Sequence, residues 1–368
     1  MSFVLHLENI EDPRQDINKS YELVDIVFLT MAAVLAGAQG WKDIQLFGEA
    51  KLDWLRQHRP FDNGIPTRHS IGRIIRGISA EALMTCFAHW LNKQRTQAGQ
   101  PHIAFDGKTI RGSGHNPHVD AVHMMSAMVV ESGITLYQTP SESKKNEIKT
   151  LRSMLEVIPV QGAILSADAM HCQKETVTLI QKKNADYVLQ VKDNQKQLHQ
   201  EIAAYFHKTQ RDEPEAFTEH IDTDGEHGRI VERRYRLLPA TAWIKGIDDW
   251  AGARHLVEVA RIQHNRDTCI TQTSYYISSI EQDVSRLAGV IRNHWQIESQ
   301  HWILDVTFRE DESLIHAEDG AKNMALFRKM LINLIKAHPL KDSVAGKRKR
   351  AGWDDNFRAE ILFGEIKV

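Results

Sequence analysis

Two short apolar runs, His102-Ile103-Ala104-Phe105 and Ala163-Ile164-Leu165-Ser166-Ala167, each end on an aspartate: Asp106 and Asp168. Apolar runs of this length bounded by turn-formers read as buried strands. Two such strands lying parallel and adjacent bring their terminal carboxylates to one edge of a sheet. A single strand-ending aspartate is more commonly a turn or helix cap, so the pair gains meaning only from the elements around it.

Those elements follow a recognisable order. Ala121–Val130 and Gly133–Gln138 fit two further strands across a Glu131-Ser132-Gly133 turn, and Asn146–Ile158 carries Ile148, Leu151, Met154 and Leu155 on one helical face. After Asp168, Gln173–Lys183 reads as a helix and Ala185–Val191 as a strand. The order strand, strand, strand, helix, strand, helix, strand predicts an α/β fold: a catalytic core with an RNase H-like mixed sheet. Residues 200–280 alternate at Ile230–Leu237, His255–Ile262 and Thr273–Ile280, which predicts a β-rich insertion; residues 283–338 return to a helical pattern.

Residues 1–95 predict a separate N-terminal helical domain. Its apolar residues recur at helical spacing from Leu23 to Leu35, then from Trp41 to Leu55, with a break at Pro60 and Asp62-Asn63-Gly64. Thr67 or Ser70 is placed to cap a helix carrying Ile71, Ile74 and Ile75, and Ser79-Ala80-Glu81 opens another through Leu91. Expected boundaries are therefore 1–95, a catalytic domain over 96–340, and a basic C-terminal tail over 341–368, read as a loop followed by a short helix.

The 368 residues, 42% hydrophobic and 26% charged, suffice for two or three globular domains. Three distant cysteines, Cys86, Cys172 and Cys269, argue against a disulfide framework and fit a reducing cytoplasm. The start lacks a basic region leading into an apolar core, so no signal peptide is expected; Ile26–Ala38 is too short to span a bilayer, and no membrane association is expected. A net charge of −2 weighs against a uniformly basic nucleic-acid binder. Positive charge is nonetheless local, at Lys144-Lys145, Lys182-Lys183, Arg233-Arg234-Tyr235-Arg236 and Lys347-Arg348-Lys349-Arg350. Such clusters are either solvated surface or phosphate contacts.

Strand-end acids of this kind suit phosphodiester chemistry. Two-metal nucleases hold divalent cations about 3.5–4 Å apart, one activating the nucleophile and one stabilising the leaving oxygen. Magnesium prefers hard oxygen ligands, so carboxylates must be gathered. A third acid is sought in Val290–Trp302. On a helix Trp295, Glu298 and Trp302 share a stripe, which predicts Glu298 between two core-seeking indoles and hence paired or metal-bound. Pairing with His294 or His301 is the structural alternative, and Asp305, Glu310, Asp311 and Glu312 are rival ligands.

These residues carry a family resemblance. Phe105-Asp106-Gly107-Lys108-Thr109-Ile110-Arg111-Gly112-Ser113, Lys145-Asn146-Glu147-Ile148, Ala167-Asp168-Ala169-Met170-His171-Cys172-Gln173, Ala185-Asp186-Tyr187-Val188-Leu189, Glu226-His227-Gly228-Arg229-Ile230, Tyr275-Tyr276-Ile277-Ser278-Ser279, His294-Trp295-Gln296-Ile297-Glu298 and Leu304-Asp305-Val306 resemble the H-repeat-associated insertion-sequence transposases of the DDE class. The likeness runs over nearly the whole chain. It implies Asp106, Asp168 and Glu298 as catalytic and metal-binding triad. It also implies two Mg2+ ions with Mn2+ as substitute, double-stranded DNA (element ends and target) as partner, a homodimer or larger active complex, and a bacterial cytoplasmic, nucleoid-associated location. Lys108, Arg111, Lys145, Arg292, Lys347, Arg348, Lys349 and Arg350 are the expected DNA contacts. The chain departs from the related tyrosine–arginine–glutamate–lysine signature, having Ile291, His294 and Asp305 at the other three positions. The long gap between Asp168 and Glu298 is explained by the β-rich insertion. Competing readings are a degenerate or domesticated nuclease, a non-catalytic DNA-binding protein, and a zinc hydrolase. The last is weakened by the lack of an HExxH motif and the irregular spacing of His115, His118 and His123.

Overall fold

The protein is described by a computed structural model covering residues 6–15, 19–94, 99–114, 120–226, 229–264 and 269–366. The expected boundary at 95/96, His115, His118 and the His227-Gly228 pair lie outside the described residues. In chain order the helices begin with α1 (Leu23–Ala36), α2 (Trp41–Ala50), α3 (Leu52–Leu55), α4 (Arg68–Gly77) and α5 (Ala80–Gln94). Strands β1 (His102–Thr109), β2 (His123–Val129) and β3 (Ile134–Ser141) follow, then α6 (Glu147–Val157), β4 (Ile164–Ala167), α7 (Lys174–Lys182), β5 (Asp186–Val191) and α8 (Lys196–Asp212). Next come β6 (Thr218–Glu226), β7 (Arg229–Pro239), β8 (His255–His264) and β9 (Cys269–Ser278). The chain closes with α9 (Val284–Asn293), α10 (Gln296–Val306), α11 (Gly320–Ala337), α12 (Val344–Trp353) and α13 (Asp355–Phe363).

The elements fall into two compact units: Met1–Ala98 with Gly107–Glu147 and Gln296–Val368, and Gly99–Asp106 with Ile148–Trp295. This grouping does not follow the three consecutive segments expected from the sequence. In the second unit β1 runs parallel to β4 and β4 parallel to β5, with Phe105 opposite Ala167 and Ala167 opposite Leu189. The β-rich region does not form a separate body. Its last strand, β9, pairs antiparallel with β5, and β8, β7 and β6 extend the array antiparallel in turn. Helix α9 lays Leu287, Ala288, Val290 and Ile291 on this sheet against Ile164, Val188, Tyr235 and Val257. Asp283 caps α9 by accepting from the Arg286 amide at 2.8 Å.

The first unit is built on two helices buried almost all round, α1 and α11. A helix without a polar face must be surrounded, and α2, α5, α12 and α13 share its core. The caps are those expected: Thr67 receives the Ser70 amide at the start of α4, and Ser79 that of Ala82 at the start of α5. β2 and β3 form an antiparallel pair turning at Gly133, where φ is +66° and a side chain would be strained. The buried Asn333 amide of α11 is bonded to Thr135 on β3 at both N–H and C=O (2.9 and 2.8 Å), extending the strand's pairing with a side chain.

Residues 341–366 are not a basic loop followed by one short helix. They form α12 and α13, which pack in the same core through Ala351, Phe357, Ile361 and Leu362. Among the described residues no single helix is long and apolar enough to cross a membrane.

Candidate active site

The register of β1 and β4 brings Asp106 and Asp168 alongside one another. Because Phe105 faces Ala167 on a parallel neighbour, Asp106 and Asp168 are the next residues on strands about 4.8 Å apart. The chain then diverges: β1 continues to Thr109, while Asp168 leaves β4 into a short 3-10 turn at Ala169–His171. The expected juxtaposition of Asp106 and Asp168 is therefore present in the second unit.

Asp168 has a supporting line of polar groups that the sequence reading did not assign. The His294 Nε2 lies 3.8 Å from Asp168 Oδ1, and His294 Nδ1 is 2.8 Å from Ser166 Oγ. Ser166 Oγ in turn lies 2.6 Å from Nε2 of His102. The distances fit a relay in which His102 Nε2–H donates to Ser166, the Ser166 hydroxyl donates to His294 Nδ1, and His294 Nε2–H points to the carboxylate; the reverse order, with His294 Nδ1–H donating to Ser166 and Ser166 to His102, fits them equally. His294 is the main influence holding the Asp168 carboxyl below the usual carboxylate range; partial burial opposes it, and His171 and Lys192 reinforce it. Burial, reinforced by the neighbouring His294 and Arg286, pushes His102 down to about 3, so His102 is neutral. The available signal was a serine inside one apolar strand and a histidine heading its neighbour.

In the first unit Gly107, the residue after Asp106, is explained by contact. A Cβ there would stand 2.6 Å from His123 Nε2 and 2.9 Å from Glu147 Oε1. Those two buried side chains pair at 2.7 Å, and His123 Nδ1 is 2.8 Å from Thr109 Oγ1. The Asp-Gly-Lys and Lys-Asn-Glu motifs thus meet at one buried His123–Glu147 contact.

Lys108, expected on DNA, is buried and faces carboxylates instead. Its Nζ is 2.7 Å from Asp305, 3.3 Å from Glu310 and 3.1 Å from Asp311. Burial acts to lower its pKa, but Glu310 and Asp305 outweigh it and the ammonium is held charged. Glu310 also lies 3.8 Å from the buried Arg328. Asp305, Glu310 and Asp311, the rival metal ligands, are thereby neutralised by fixed cations.

Glu298 belongs to α10 of the first unit and is exposed. The expectation that Trp295 and Trp302 are core residues fails: they are 60% and 62% exposed. The inward stripe of α10 is Ile297, Gln300 and Leu304. Gln300 sets that orientation, since its amide donates to Gly133 O at 2.8 Å and accepts from Thr135 and Lys329 at 2.8 and 2.9 Å. A buried amide so fully bonded outcompetes an indole, which can stay at the surface at lower cost. Burial therefore gives Glu298 no reason to be paired or metal-bound. Among the described residues no group of three or more His, Cys, Asp and Glu is gathered to hold a metal ion. Asp106 and Asp168 supply the hard oxygen donors that magnesium requires, and the Asp168 carboxylate is exposed and ionised, so this pair fits such an ion.

The remaining cationic positions divide. Arg111 and Lys145 are exposed, although Arg111 Nε lies 3.6 Å from Asp311. Arg292 pairs with Asp224 of β6 at 3.1 Å. Lys347 is buried and donates to the carbonyls of Ile335 and His338 at 3.0 and 2.8 Å. Arg348 stacks 4.3 Å from the Phe308 ring and donates to Val34 O at 2.8 Å. Only Lys349 and Arg350 of that run are exposed. Consecutive helical residues diverge by about 100°, so four cations in a row on α12 cannot form one clamp.

A family model described as "Transposase DDE domain" matches residues 97–334, and one described as "DDE_Tnp_1-associated" matches residues 4–91. The chain belongs to the DDE transposase family. Its relatives include an Escherichia coli O157:H7 protein described as "Putative transposase YncI", 35% identical over 98% of this chain and 94% of that one. Another is the "H repeat-associated putative transposase YhhI" of Escherichia coli K12, 32% identical over 98% and 97% of the two chains. A solved piggyBac transposase synaptic complex with hairpin DNA aligns with 98% of this chain and 77% of its own, at 11% identity and a TM-score of 0.46.

Proposed function

We propose that the chain is an active DDE transposase that cleaves DNA at the ends of its element and joins the freed 3′-hydroxyls to target DNA. The position of Asp106 and Asp168 one step beyond the paired residues Phe105 and Ala167 of neighbouring parallel strands, in a chain of this family, is the observation that carries the reading. The catalytic core is read as RNase H-like, with β6–β9 as the insertion before the third acid. Asp106, Asp168 and Glu298 are the residues to hold two Mg2+ ions, with Mn2+ as substitute; bound there, the ions would supply nucleophile activation and charge stabilisation at the leaving oxygen. The residues of the chain itself prepare the site. His294 keeps Asp168 ionised, and Ser166 and His102 fix the imidazole's direction. Working on two ends in one event calls for a dimer or larger complex on double-stranded DNA, in the bacterial cytoplasm at the nucleoid.

The test is a cleavage assay on a DNA fragment carrying the element's termini, with magnesium. Asp106→Asn, Asp168→Asn and Glu298→Gln should each abolish nicking while retaining end binding. Near-normal cleavage by Asp106→Asn or Asp168→Asn would overturn the site. Loss only with the two aspartate variants would remove Glu298 from it.

A further inference from the structure

We propose that a cationic pocket between α2 and α4 of the first unit is a docking site for the phosphate backbone of duplex DNA. The pocket is concave, about 650 Å³, and is lined by Lys42, Arg68, Arg73 and Arg76 with His69, Ser70 and the Trp41 indole. No carboxylate lines it. In a chain with 48 acidic and 46 basic residues, four cations around one concavity without an acid are a local excess that the total charge conceals.

The local structure explains how the excess arises. α4 turns Ile71, Ile74 and Ile75 into the core, which leaves His69, Arg73 and Arg76 at i, i+4 and i+7 on its outer stripe. Arg68 stands one step round, its backbone amide fixed to Gln45 Oε1 of α2 at 2.7 Å. Gly72 lets α2 approach: a Cβ at that position would lie 3.1 Å from the Trp41 Nε1. The indole therefore rests on the α4 backbone as one wall of the pocket. Its N–H has no acceptor among the described residues. Asp43, the nearest acid on α2, is engaged elsewhere, accepting from the amides of Gln39 and Gly40 at 2.9 and 3.3 Å.

The cations are also uncommitted. Lys42, Arg68 and Arg73 are exposed and have no carboxylate partner among the described residues. Arg76 comes only within 3.8 Å of the exposed Glu318 and otherwise donates to Gly72 O at 3.0 Å. The cations of the candidate active-site region and of α12 show the contrast, since Lys108, Lys347 and Arg348 are buried against fixed acceptors. A second large concavity of the same unit is lined by Glu8, Glu11 and Glu81 together with its basic residues, so its charge is compensated.

Guanidinium forks and a free indole N–H match phosphate oxygens. Backbone contacts of this kind position a duplex without reading its sequence. The pocket thus gives the N-terminal helices a role as a DNA-anchoring module. This inference rests on the proposed function only in taking DNA as the substrate; it does not involve the acids.

The experiment compares full-length wild type with Lys42→Ala/Arg68→Ala/Arg73→Ala by fluorescence anisotropy over a range of salt concentrations. The probes are a mixed-sequence duplex and a duplex carrying the element's termini. Losing three phosphate contacts should flatten the log–log salt slope by about 2.7 and weaken both duplexes roughly 100-fold near physiological salt. Arg68→Lys/Arg73→Lys should restore the slope but only part of the affinity, and circular dichroism should show all variants folded. The same slope and affinity in the triple-Ala variant as in wild type would overturn the site while leaving the proposed function standing. Wild type binding neither duplex would overturn both. Asp106→Asn should keep the wild-type slope, which separates anchoring from chemistry.

Discussion

Acidification should destabilise the protein through His102, by an amount set by burial. His102 is 2% exposed at the head of β1, and its pKa lies near 3 in the folded state. In the unfolded chain an imidazole titrates near 6.5. The sign follows: below pH 6.5 the unfolded chain gains a proton that the native chain refuses. The stability is fully present above pH 6.5 and is lost progressively as pH falls from there towards 3. At pH 5 the native ring is still neutral while the unfolded ring is almost wholly protonated, so the loss is 1.5 pH units at 1.36 kcal/mol each, about 2 kcal/mol. Because pH 5 lies well above the native value, this figure depends on the unfolded pKa alone. Urea denaturation at pH 7 and pH 5 reads it directly, against His102→Gln, whose amide can still bond Ser166 but does not titrate. His301, also buried and pushed down to about 2, contributes equally to both proteins and cancels. Wild type should lose about 2 kcal/mol more than the variant between the two pH values. Equal losses would show that His102 is protonated in the folded state and that burial does not hold it neutral.

Two further substitutions test the surroundings of the strand ends. Gly107→Ala forces a methyl group onto the buried His123–Glu147 pair, and should cost about 2–4 kcal/mol of stability in urea denaturation. It should also lower cleavage, because relief must come from moving the strand beside Asp106; a wild-type melting curve would refute the contact. Lys108→Met leaves Asp305, Glu310 and Asp311 together with only Arg328 to oppose Glu310, and should cost about 3 kcal/mol. If Lys108 served DNA instead, the same variant would keep full stability and show a flatter salt slope for binding.

The parts of the fold that the sequence made legible are those whose polarity pattern and burial agree. α1, β2 and β4 are mostly apolar and nearly all buried, as are Ile103–Phe105 of β1 and Tyr187–Leu189 of β5, so their runs announce them. α8 was hidden inside a region read as β. It buries only Leu198, Ile202, Phe206 and Thr209, and the polar residues between them dilute the helical period. β6 carries Glu219, His220, Asp222, Asp224 and Gly225, with almost no apolar alternation, and pairs only with β7. The end of the chain misled for a different reason. Four cations in succession suggest solvent, yet Lys347 and Arg348 cover helix-end and loop carbonyls, satisfying acceptors that an apolar residue would leave orphaned.

At the candidate site the acids were legible as residue types but not by what opposes them. In the sequence Asp305, Glu310 and Asp311 were rivals of Glu298 for the place of third ligand beside Asp106 and Asp168. The structure separates them by counter-charge. The first three surround the Lys108 ammonium, a cation fixed by burial and held charged at any working pH. A divalent ion reaching them would have to displace that ammonium and leave a buried lysine unpaired, which costs several kcal/mol. Asp168 faces an imidazole at 3.8 Å and otherwise opens to solvent. Its negative charge is supported without being consumed, which is the condition a ligand must meet before an ion arrives. Asp106, one register step beyond Phe105 and Ala167 and inside β1, is the carboxylate alongside it. What separates Asp168 from Asp305, Glu310 and Asp311 in this chain is therefore that no compensating lysine or arginine is built in beside it.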